Sequence, residues 1–224
     1  MTVPIIIIGV ILVIGIIFLT GQSSTNKLTR EGFLQELVKY MDGKLEPMQD
    51  MENSFRVTFA YRGQTFFFDD IKEVGFRDNV FKSILKVETN INFNLNFTER
   101  QMGKALDGKI QMASDITEDA FSQKKVIKLP ADLQKFEAHT NNIDHANILL
   151  ADQQVAAIFT EFKNISTKGY SFVALRILHG VVMLEFQTAS GMKPPLSALY
   201  QDVPSIEIHC NKLASLAQKI TSLL

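Results

Sequence analysis

Hydrophobic positions along this chain change period several times, and the first pattern is an unbroken run. Val3 to Leu19 (VPIIIIGVILVIGIIFL) holds no charged or strongly polar residue, and 14 of its 17 positions are Ile, Val, Leu or Phe. At about −0.3 to −0.6 kcal/mol per such residue, insertion of the run into a bilayer is favourable by about 4 to 8 kcal/mol. As a helix it spans about 25 Å, and Thr2, Thr20 and Gly21 can extend it toward the thickness of a hydrocarbon core. Pro4 falls in the first turn, where a missing N–H costs nothing. A cleaved signal peptide carries a basic leader and a small-x-small cleavage site. Here only Met1 and Thr2 precede the run, and Gly21-Gln22-Ser23 is a poor substitute for that site. The pattern predicts an uncleaved single transmembrane helix over residues 1–21 and a polar linker over 22–28.

The remainder reads as α+β. Phe33, Leu34, Leu37, Val38 and Met41 recur at helical spacing, with Thr29 as N-cap and Asp42-Gly43 as the stop. Phe55, Val57, Phe59 and Tyr61 alternate with polar or small residues, and Arg62-Gly63 turns this strand into Gln64–Phe68. Phe81–Glu88 is a further strand. Asn90–Thr98 (NINFNLNFT) alternates most cleanly: Ile91, Phe93, Leu95 and Phe97 share one face, and Asn90, Asn92, Asn94 and Asn96 share the other. Glu99–Lys125 gives no clear period. Lys135–Thr140 predicts a short strand, and Asp144–Leu150 and Asp152–Phe162 predict helices. Ser171–Leu178 and Val181–Gln187 form a hairpin turning at His179-Gly180, and Ile206–Leu224 is an amphipathic helix with Cys210, Leu213, Leu216, Ala217 and Ile220 on one face. Helix, strand, x-Gly turn and strand thus occur at 30–68 and again at 152–187. This suggests two similar α-β-β halves, 29–128 and 129–224.

Charge adds sidedness. Lys27, Arg30, Lys39 and Lys44 follow the apolar run and no cation precedes it, a bias that keeps the soluble domain in the cytoplasm. Over the whole chain 23 basic residues nearly cancel 24 acidic ones without a basic stripe, which argues against nucleic acid as a partner. With 17 Phe and no Trp, the aromatic content suits a packed core. Cys210 stands alone, so intrachain disulfides and thiolate metal clusters are excluded.

Candidate chemistry is sparse. His139, Asp144 and His145 are close enough in sequence to be metal ligands if one ends a strand and the other begins a helix. Asp144 is more simply the N-cap of its helix. Asp69 and Asp70, with Glu73 nearby, offer a carboxylate pair for acid–base work or cation binding, or else a solvated turn at a strand end. His209 and Cys210 are adjacent on a helix and so do not face each other as a dyad. Ser residues lack a nucleophile elbow, and there is no phosphate-cradling glycine loop. The amides of Asn90, Asn92, Asn94 and Asn96 form either a solvated sheet face or a docking surface. The sequence therefore predicts a membrane-anchored, non-catalytic interaction module that needs no cofactor, with the lipid bilayer and a protein as partners. The alternative is a membrane-tethered, metal-dependent hydrolase built on His139, Asp144 and His145.

Overall fold

The chain is described from a computed structural model that covers residues 30–49, 51–74, 79–91, 93–99, 124–125, 129–164, 170–188 and 203–224. The predicted anchor over 1–21, the linker, Thr29, Asn92 and most of Glu99–Lys125 lie outside the described residues. Among the described residues no helix is long and apolar enough to cross a membrane.

The α+β expectation holds. Helix α1 (Arg30–Met41) is followed by strands β1 (Lys44–Pro47), β2 (Phe55–Tyr61), β3 (Gln64–Val74), β4 (Asn79–Glu88) and β5 (Leu95–Glu99). Then come the two-residue β6 (Lys124–Lys125), β7 (Phe136–Thr140), helices α2 (Ile143–Ala151) and α3 (Gln153–Asn164), β8 (Tyr170–Leu178), β9 (Val181–Thr188) and α4 (Val203–Leu223). The strands form one sheet in the order β1-β2-β3-β4-β9-β8-β5-β7-β6, antiparallel at each pairing.

The register explains the alternation read in the sequence. One row crosses seven strands as Val57, Phe68, Leu85, Leu184, Leu175, Phe97 and Ala138, each with 0 or 1% of its surface exposed. The helices cover this face: Phe33, Leu34 and Leu37 of α1, Leu149 of α2, Phe159 of α3 and Leu213 of α4 join the same core. Phe97 stacks on Phe136 and Phe159 with ring centroids 4.4 and 4.6 Å apart. The neighbouring row, Arg56, Asp69, Ile84, Glu185, Ala174, Thr98 and Glu137, faces the other way.

Both predicted hairpins form, and their turns are alike. Arg62 and Gly63 have φ of 50° and 74°, His179 and Gly180 of 48° and 76°. Two successive left-handed residues define the turn whose twist matches a two-residue hairpin. At Gly180 there is a further demand, because a Cβ would sit 2.9 Å from the Thr89 carbonyl oxygen. The stop of α1 is also as read: Asp42 is left-handed at φ 49°, and the Gly43 N–H donates to Val38 O over 2.9 Å.

Three expectations change. The regular strand begins at Leu95 rather than Asn90, although Ile91, Phe93, Leu95 and Phe97 are all buried as the pattern requires. Asn142, not Asp144, caps α2: its Oδ1 accepts the His145 N–H at 3.1 Å, which leaves Asp144 exposed in the first turn. Asp69 and Asp70 are not at a strand end, because β3 continues to Val74 and both carboxylates are buried, on opposite faces of the sheet.

Candidate binding cleft

The buried charges come in matched sets. On the face away from the helices, Asp69 is fully buried and accepts from Arg56 Nε and Nη2 at 2.6 and 2.8 Å, with Lys86 Nζ 2.6 Å away. Burial alone would raise the Asp69 carboxyl, but the two cations outweigh it and hold it below the ordinary carboxylate value. On the same face Lys82 pairs with Glu73, and Arg176 pairs with Glu185 while donating through Nε to Asn96 Oδ1 at 3.0 Å. On the helix side, Asp70 pairs with Arg30, whose guanidinium lies over the Phe55 and Phe81 rings at 5.5 and 5.3 Å. Here burial prevails and pushes the Asp70 carboxyl up to about 6 despite Arg30. These groups brace the sheet across its strands.

His139 and His145 are separated by the sheet. His139 lies on β7 between Ala138 and Thr140, both fully buried toward the helices, so its ring points to the opposite face. His145 stands on α2 with its ring edge-on to the core ring of Phe93, centroids 5.7 Å apart. Among the described residues no group of three or more His, Cys, Asp or Glu is placed to hold a metal ion. On α4, burial and Lys212 push the His209 imidazole down to about 4, so it is neutral at physiological pH. Burial drives the Cys210 thiol far up, which withholds the thiolate that nucleophilic chemistry needs.

The asparagines serve the fold at two positions. Asn94 Oδ1 accepts the His179 N–H at 3.3 Å, and the Asn94 main chain meets Asn141 and Thr140. Asn96 holds Arg176 as above. Asn90 is different: it is exposed and lines a cleft of about 760 Å³.

Four separate segments build that cleft. The β2–β3 turn supplies Gly63, Gln64 and Thr65, the β4–β5 link Glu88 to Asn90, the β8–β9 turn His179 to Val181, and the end of α4 Gln218, Thr221 and Ser222. The Thr89 N–H and Oγ1 both donate to Gly180 O, at 2.6 and 3.1 Å, and this stitches the β8–β9 turn to the link. The lining is polar and among its described residues carries one carboxylate, Glu88, and no Lys or Arg. Asn90 and both x-Gly turns stand out in the sequence, but their convergence with the last turns of α4 follows from the sheet order and has no local signature.

No protein-family model matches this chain, and neither a curated protein nor a solved structure matches it.

Proposed function

We propose that this chain is a single-pass membrane protein whose α+β domain, on the cytoplasmic side, is a non-catalytic module that docks a partner protein. The anchor rests on the Val3–Leu19 run, and the sidedness on the Lys and Arg that follow it. The observation that carries the docking role is the cleft: an open, polar concavity assembled from two hairpin turns, one link and one helix end. Concave sites with a few convergent polar groups are where binding concentrates. The loops that form it are held by a rigid sheet, as recognition loops commonly are. The hydrolase alternative draws no support from the geometry, because His139 and His145 face opposite sides of the sheet.

Site-specific photocrosslinking in intact membranes tests the docking role. A photoreactive residue at Asn90 should give a discrete adduct larger than the chain, and the same group at exposed Ile148 on α2 should not. Equal adducts from both positions, or none from Asn90, would remove the cleft as the docking site.

A further inference from the structure

We infer that the cleft stands at the end of the domain remote from the membrane, and that the protein docking there is water-soluble rather than embedded in the bilayer. The inference rests on the anchor and docking readings above and names the class of partner. Its geometric basis is the point where the tether joins the sheet. Arg30, the first residue of α1, pairs with the Asp70 carboxylate, donates to Asp70 O over 3.1 Å and lies over the Phe55 and Phe81 rings. That contact fixes the tethered end of the domain on β2, β3 and β4 together.

The same three strands reach the cleft at their other ends. From Phe55, β2 runs to Tyr61 beside the Arg62-Gly63 turn, and β4 runs from Phe81 to Glu88 in the lining. Along β3, Gln64 in the lining and Asp70 under Arg30 are about 20 Å apart, at about 3.3 Å per residue. The β8–β9 turn lies at the cleft end too, because Val181 pairs with Glu88. Between Gly21 and Arg30 lie eight residues, which reach at most about 30 Å in any conformation. To lay the cleft on the bilayer, that stretch would have to hold Arg30 about 20 Å off the surface, about two thirds of its full reach, at a cost in chain entropy. With the cleft turned outward no such extension is needed. The lining agrees. Among its described residues there is no Lys or Arg to attract anionic headgroups, and Val181 is the one aliphatic side chain available to enter the acyl region. Thr65, Asn90 and Gln218 are exposed there as uncharged hydrogen-bonding groups, which suit a hydrated protein surface.

Energy transfer from the full chain to acceptor-labelled headgroups in liposomes tests the geometry. Donors go on Glu31→Cys, exposed in the first turn of α1, and on Gln218→Cys and Asn90→Cys, both exposed in the cleft lining. Cys210 is 0% exposed and stays unlabelled in the folded chain. Transfer should be at least about twofold more efficient from Glu31, because the cleft positions lie about 20 Å further from the headgroups. Transfer from either cleft position that equals or exceeds that from Glu31 would overturn the inference. The class of partner is read from the Asn90 photo-adduct. Washing the membranes free of soluble protein with high salt should abolish the adduct, and adding the soluble fraction back should restore it. A protein adduct that persists in washed membranes would overturn the inference and leave the docking reading standing. An adduct to lipid alone would overturn both. With no adduct even in unwashed membranes the docking reading fails, and the partner class with it, while energy transfer still decides which end of the domain faces the bilayer.

Discussion

Replacing Arg176 with Met is expected to cost about 3–5 kcal/mol of folding stability, because it strands a buried charge. The Arg176 and Glu185 side chains are 9% and 5% exposed, and they pair across β8 and β9. Arg176 also satisfies Asn96 on β5, so one guanidinium ties three strands. Without it Glu185 must ionise unpaired or take up a proton, and either choice is unfavourable near neutral pH. The double variant Arg176→Met, Glu185→Leu removes both charges and should recover about half of the loss, since Asn96 Oδ1 still lacks its donor. Urea unfolding of the three proteins measures this. If the double variant is as unstable as the single one, packing rather than charge is the reason for the loss.

The second large effect depends on pH. At pH 7.5, Arg30→Met should cost about 3 kcal/mol, about 2 of it because Asp70 can no longer ionise beside its partner in the interior. Burial has already raised Asp70 to about 6 in the folded chain, above its ordinary 3.8. The folded state therefore holds the proton more tightly than the unfolded one. Protonation stabilises, and the stability contributed by this group is full below the unfolded value and fades as pH rises through about 6. Removing Arg30 raises the carboxyl further and extends that window upward. At pH 5 Asp70 is mostly protonated in the folded state of both proteins, and the difference between them should shrink to about 1 kcal/mol, the share of Arg30 packing over Phe55 and Phe81. Unfolding curves at the two pH values decide it. A penalty that does not change with pH would show that Asp70 is not the group left exposed by the substitution.

These two sites mark where the sequence was silent. Periodicity identified α1, both x-Gly hairpins, β7 and α4, because each buries one face and alternation or helical spacing records which one. It misjudged Asp69 and Asp70, since two adjacent carboxylates after FFF look like the end of a strand. They continue β3 only because Arg56, Lys86 and Arg30 arrive from β2, β4 and α1 to neutralise them. Pairings across 13 to 40 residues leave no local signature. The four-residue β1 was missed because KLEP carries one apolar side chain and relies on β2 for its ladder. Asn90 was legible as an unusual position, but the cleft it lines depends on α4 ending beside two hairpin turns, a matter of sheet order. As the single cysteine, Cys210 would be the natural label for which side of a membrane the domain occupies. At 0% exposure it reports unfolding instead, and sidedness calls for a cysteine at an exposed position such as Gln35.

The membrane tether is the central claim, and alkaline carbonate extraction of cell membranes tests it most directly. The full chain should remain in the pellet, and the chain lacking residues 1–21 should move to the supernatant and unfold cooperatively once purified. Release of the full chain by carbonate, or retention of the shortened chain, would contradict the account.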